Sequence, residues 1–158
     1  MMRFRAVEVP GENDELVELY QREWSPLLRT AYALVGSLAT AEEIVQDAFV
    51  ALQSTRTAVL NPGAYLRRSV INGCRSIHRH RAVVSRTAIP VQRPAIDHHD
   101  ELGDALSALP WRQQAALVLR YHLDLAETDI AEALGCRPST VRSIIKRGLD
   151  ALRKGIDS

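Results

Sequence analysis

The chain has 158 residues, 46% of them apolar and 25% charged, with a formal net charge of +1; this composition fits one soluble domain or two small ones and excludes a fibrous or largely disordered protein. No apolar run is long enough to cross a bilayer, and the opening MMRFRAVEVPGENDE lacks the apolar stretch of a secretion signal, so a cytoplasmic protein with no membrane insertion is expected. Cys74 and Cys136 lie far apart without paired spacing, which speaks against a disulfide framework and a zinc knuckle.

The near-zero net charge hides a segregation. Residues 8 to 23 are acid-rich, whereas no carboxylate stands between Asp47 and Asp97 and that interval holds eight arginines. A second basic block, residues 137 to 154, holds six Lys or Arg against Asp150 alone. Two separate cationic surfaces point to two contacts with a polyanion, because clustered Lys and Arg gain affinity by releasing counterions condensed on phosphates.

In chain order, Leu16, Leu19, Tyr20, Trp24, Leu27, Leu28, Ala31 and Leu34 recur at helical spacing from Asn13 onward, and Gly36 is a plausible stop. Thr40 with Glu43 has the pattern of a capping box opening a second helix through Ile44, Val45, Ala48, Phe49 and Leu52. Asn61 as cap and Pro62 at the first helical position open a third, since a proline there lacks only an N–H that would be unpaired anyway. Val83 to about Asp97 shows no sustained period and contains Ile89-Pro90 and Arg93-Pro94, which reads as a linker. A short helix follows over Leu102, Leu106 and Leu109, then one from Trp111 to Tyr121, one over Ile130, Ala131 and Leu134 ending at Gly135, and a last one from Pro138. Nothing alternates with period two for long enough to demand a sheet. The fold class expected is therefore all-α.

Within NPGAYLRRSVINGCRSIHRHR, residues 61 to 81, Arg68, Asn72, Arg75 and Arg79 are spaced 4, 3 and 4 and share one helix face, while Leu66, Val70, Gly73 and Ile77 occupy the opposite one. A row of guanidinium forks suits a phosphate chain, and Asn72 can hydrogen-bond a base edge. Toward the C-terminus, LAETDIAEALGCRPSTVRSIIKRGLDALR has the order helix, glycine-containing turn, helix of a helix-turn-helix. Val141, Ile145, Leu149 and Leu152 form the inner side of its second helix. Ser139, Arg142, Ser143 and Lys146 point outward with the preceding Arg137, and arginine is the side chain best shaped for guanine in the major groove. Cys74, His78 and His80 share a helix and His98-His99 falls in the linker, but no second pair with ligand spacing accompanies them, so no metal or cofactor is expected. There is no glycine-rich phosphate loop, GxSxG elbow or HExxH, and no catalytic residue is assigned. Trp24 and Trp111 fall at core-like helical positions.

The order of these pieces resembles a bacterial RNA polymerase σ factor of the extracytoplasmic-function type (group IV), with LLRTAYALVG and PGAYLRR similar to actinobacterial members. The resemblance implies two small helical domains joined by a flexible linker: σ region 2 over residues 1–82, a linker over 83–101 and σ region 4 over 102–158. LLRTAYALVGSLATAEEIVQDAFVALQ looks like the polymerase-binding helices, with Glu43, Gln46 and Asp47 on the acidic surface that meets the β′ clamp. Arg68, Asn72, Arg75, Ser76 and Arg79 fall in the segment that captures the promoter −10 element as single-stranded DNA. Arg137, Ser139, Thr140, Arg142, Ser143 and Lys146 fall in the segment that reads the −35 element. The partners implied are core RNA polymerase through its β′ clamp and β flap, promoter DNA, and, as a further candidate, an anti-σ factor. The chain departs from the family pattern at Ser76, at Ala126 in place of a capping serine, at Ile144 in place of an arginine, and at Gly148 in place of an alanine. Two rival readings share the same residues: a regulator that uses only the C-terminal helix-turn-helix, and a σ-like adaptor that binds polymerase or an anti-σ partner without a promoter.

Overall fold

A computed structural model describes residues 12–55, 58–86 and 101–157, and among them seven helices and no strand. They are α1 (Glu12–Val35), α2 (Leu38–Thr55), α3 (Pro62–Arg86), α4 (Glu101–Ser107), α5 (Trp111–Tyr121), α6 (Glu127–Leu134) and α7 (Pro138–Asp157). Most of the expected linker, including His98 and His99, lies outside the described residues; its first residues, 83 to 86, continue α3.

Local chemistry sets the helix ends. Gly36 takes a left-handed φ of 74° and donates its N–H to the Tyr32 carbonyl at 2.8 Å, closing α1, a conformation that costs glycine little. The cap of α2 is Ser37 and not Thr40: the Ser37 hydroxyl accepts the Thr40 N–H at 3.3 Å, and the Ser37 carbonyl accepts that of Ala41. Since the chain has already turned at Gly36, the first hydroxyl after the turn reaches the unpaired amides before Thr40 can. Asn61 caps α3 as expected, its Oδ1 accepting the Ala64 N–H at 3.1 Å. Gly135, at φ 70°, ends α6.

The N-terminal half is a three-helix bundle. Leu27, Ala31 and Leu34 of α1, Ala41, Val45 and Leu52 of α2, and Leu66, Val70 and Cys74 of α3 are buried together. Burial pushes the Cys74 thiol up to about 12, against a smaller opposing pull from Arg81, so it stays protonated and inert. At Gly73 the bundle is drawn tight: a Cβ there would stand 2.8 Å from Ile44 Cγ2. Tyr20, Trp24 and Phe49 form an aromatic group with ring centroids 4.9 to 5.9 Å apart.

The C-terminal half packs α5, α6 and α7 around Leu119, Ile130 and Val141, with α4 against α7. The inner face of α7 differs in phase from the expectation. Ile144 is buried and Gly148 sits beneath Leu117, whereas Ile145 is only half-buried. Residues 141, 144 and 148 follow steps of three and four, and Gly148, whose Cβ would meet Leu117 Cδ1 at 3.1 Å, lets α5 lie close. Two departures from the family pattern thus become core packing. Ala126 precedes α6 with extended backbone and no side-chain capping bond.

The halves touch. α1 and α3 pack on α5, α3 also packs on α6, and one buried core runs through both. Trp111 takes part in the contact, its ring 4.7 Å from that of His78. It is an inter-half residue and not simply core of its own half.

Candidate nucleic-acid interface

On α3, Leu66 and Val70 are fully buried while Arg68, Asn72, Arg75, Ser76 and Arg79 are all exposed. The capped start at Asn61 and the tight seat of Gly73 on Ile44 fix the rotation of the helix, and so the direction of this row. No carboxylate among the described residues pairs with these guanidiniums; the acids of α1 leave them alone, and there Arg22 pairs only with its neighbour Glu23. Unpaired like charges along one face raise the local positive potential, which a polyanion relieves.

The remaining basic groups of this segment have other work. Arg81 Nη1 donates to the Val35 carbonyl at 2.7 Å, and His78 Nε2–H donates to the Leu34 carbonyl at 2.5 Å. Both carbonyls belong to the last turn of α1, where intrahelical partners run out and the helix dipole favours positive charge. These two residues of α3 therefore finish α1. Burial lowers the pKa of His78 below its ordinary value, and Arg81 adds to that, against the opposing Leu34 hydrogen bond. Periodicity along α3 gave no sign of either bond, which join residues more than forty positions apart.

On α7, Arg137, Ser139, Arg142, Ser143 and Lys146 are exposed and Thr140 is half-buried. Val141 at 0% and Ile144 at 8% exposure anchor the opposite side, so this outer face is held by a packed scaffold. The Ser143 hydroxyl donates to the Ser139 carbonyl at 3.3 Å. Arg142 is not free: its Nε lies 2.9 Å from Oε2 of Glu127, the first residue of α6. Glu43, Gln46 and Asp47 are exposed on α2, away from the buried Ile44, Val45 and Ala48.

The two sets of cations are on different helices but not remote. Asn72 and Arg75 line a crevice with Trp111, Arg112, Ala133 and Leu134, so the cationic row of α3 borders the C-terminal half.

Among the described residues, helices alone, with an exposed cationic row on α3 and a separate helix-turn-helix, have the form of a DNA-binding protein with two contact surfaces. Residues 19–84 match the family described as Sigma-70 region 2, and residues 99–152 match Sigma-70, region 4. The chain is 31% identical to an RNA polymerase sigma-E factor of Streptomyces coelicolor, across 91% of this chain and 87% of the relative. It is 28% identical to the sigma-E factor of Streptomyces avermitilis, across 94% and 88%. In solved structures it is similar to the sigma factor RpoE of Bartonella quintana in complex with the anti-sigma factor NepR, with a TM-score of 0.73 at 22% identity over 92% of this chain and 98% of that one. CnrH in complex with the cytosolic domain of CnrY gives 0.72 at 21% identity over 93% and 90%; at such identity these two establish the fold. The chain belongs to the sigma-70 family of RNA polymerase σ factors, in its extracytoplasmic-function group. As such it binds core RNA polymerase and directs transcription initiation at promoters with −35 and −10 elements.

Proposed function

We propose a division of labour among named residues. Arg68, Asn72, Arg75, Ser76 and Arg79 hold the opened strand at −10. Arg137, Ser139, Thr140, Arg142, Ser143 and Lys146 read the −35 duplex from the major groove, and Glu43, Gln46 and Asp47 dock on the β′ clamp. The observation that carries this reading is the row on α3: three exposed guanidiniums and an amide on one face, with no carboxylate among the described residues to neutralise them. Tyr65 is the sole aromatic of α3 and is half-buried, so strand capture rests on polar contacts more than on stacked rings. The chain performs no chemistry itself, works in the cytoplasm, and divides near the expected bounds of 1–82, 83–101 and 102–158, with α3 running on to Arg86 and α4 starting at Glu101.

The packing of the halves adds a mechanical requirement. Base pairs stack about 3.4 Å apart, so elements centred near −35 and −10 lie roughly 85 Å apart along straight duplex. Packed helices sit about 8–10 Å apart, and α3 packs directly on α6, the neighbour of α7. The compact arrangement is therefore a free or sequestered form, and promoter binding separates the halves at the His78–Trp111 contact. An anti-σ factor that clasps both halves would hold this form, in keeping with the anti-sigma complex of the Bartonella quintana relative. Run-off transcription with purified core polymerase over a genomic promoter library, at two salt concentrations, tests the reading. Enrichment of two-block promoters supports it; duplex binding without transcription returns the chain to a simple helix-turn-helix regulator.

A further inference from the structure

Among the described residues, Arg142 is the only cation of α7 in an ion pair; Arg137 before it, and Lys146 and Arg147 along it, face no carboxylate. Its partner Glu127 opens α6 and reaches across the turn to Nε at 2.9 Å, with side-chain exposures of 68% for Arg142 and 40% for Glu127. So exposed a pair adds little to folding, because water and ions screen it. A carboxylate beside a DNA-reading face also opposes the approach of phosphates. As an acid in the first turn of α6 Glu127 complements that helix's dipole, but any first-turn acid does so, and its reach to Arg142 is left unexplained by that role.

Geometry supplies a third role. The carboxylate beside Nε draws the base of the guanidinium toward α6 by charge and leaves its two terminal nitrogens, which meet no carboxylate among the described residues, as an outward fork. That fork matches O6 and N7 of guanine. A long side chain that is ordered beforehand loses less freedom on binding. An arginine drawn toward that carboxylate also swings less readily to a nearby phosphate, the contact that would carry no sequence information.

We propose that Glu127 is a specificity-determining positioning residue for the −35 element: it buttresses Arg142 toward guanine and, by its charge, disfavours duplex in which Arg142 finds none. The inference rests on the placement of Arg142 at −35.

The test uses the full chain assembled with core polymerase. Wild type first selects its preferred duplex from a library randomised over the −35 block. Binding is then measured on that duplex, on its single-base variants and on a scrambled duplex. R142A should lose roughly tenfold or more of the preference at one base pair. E127A should lose several-fold of the preference at that same pair while binding the scrambled duplex more tightly, and E127Q, which keeps an acceptor oxygen, should fall between E127A and wild type. In the R142A background, E127A should remove no further preference. Unchanged discrimination in both E127A and E127Q overturns the proposal, as does a loss of the same size in the R142A background. If R142A itself leaves every base preference intact, the placement of Arg142 at −35 fails first, and the proposal falls with it.

Discussion

On α3, Arg68, Arg75 and Arg79 extend from the helix with no carboxylate among the described residues to meet them, whereas on α7 Arg142 is already paired with Glu127. The N-terminal row suits a flexible single strand: several untethered forks can follow a backbone whose path is not fixed in advance. The C-terminal face suits a rigid duplex, whose base edges stand at fixed positions and reward a side chain that is fixed too. The scaffolds beneath them differ in parallel. Gly73 is wedged against the stiff, β-branched Ile44, while Gly148 faces the far end of the flexible Leu117.

Removing Arg142 probes the contrast most strongly. Arg142→Ala should cost about 1–3 kcal/mol at one base pair of the −35 element and leave the others nearly unchanged, as read from competition binding of holoenzyme to single-base variants. A glutamine at Arg75 or Arg79 should act in the opposite style. Each should weaken promoter binding nearly uniformly across sequences and reduce the salt slope of log K by roughly 1, measured between low and moderate ionic strength. A loss confined to single bases there would erase the distinction between the two faces.

The glycines sharpen the same comparison at the level of packing. Gly73→Ala gains helix propensity but forces Ile44 to move, and it should lower stability by about 1–2 kcal/mol in chemical denaturation. At Gly148 the same change should come within about 1 kcal/mol of neutral, since Leu117 can yield a few tenths of an ångström. Ala126→Ser should raise stability by about 1 kcal/mol, because the extended backbone at the start of α6 is ready for a capping hydroxyl that the chain lacks.

The smallest effect concerns His78. Its folded pKa is lowered, chiefly by burial, so the unfolded chain binds the extra proton first as pH falls. The contribution of neutral His78 is complete above its ordinary value of about 6.5 and fades below it as the pH drops toward the folded pKa. Melting curves across this window should show a downward trend that His78→Gln flattens, since glutamine can still donate to the Leu34 carbonyl.

Much of this molecule was legible residue by residue. Asn61-Pro62, Gly36, Gly135 and Pro138 mark helix ends by local chemistry, and the 4, 3, 4 spacing of Arg68, Asn72, Arg75 and Arg79 does place them on one exposed face. The misreadings fall where the deciding partner is distant or a neighbouring residue competes. Ser37 took the cap from Thr40 because the turn at Gly36 came first. Ile144 lies inside on the same side as Gly148, which passes close under Leu117, an approach no spacing on α7 contains. The bonds of His78 and Arg81 to the end of α1, the Trp111 contact between halves and the Glu127–Arg142 pair all join segments by tertiary approach. Hydrophobic period carries no record of such meetings.

The central claim is that two cationic faces, one in each half, grip one promoter at two places. Photo-crosslinking residues installed separately at Asn72 and Ser139 in holoenzyme on a selected promoter test it most directly. The account predicts that position 72 marks the opened strand at −10 and position 139 marks duplex at −35. Crosslinks from both positions to the same element, or none from position 72, would contradict it.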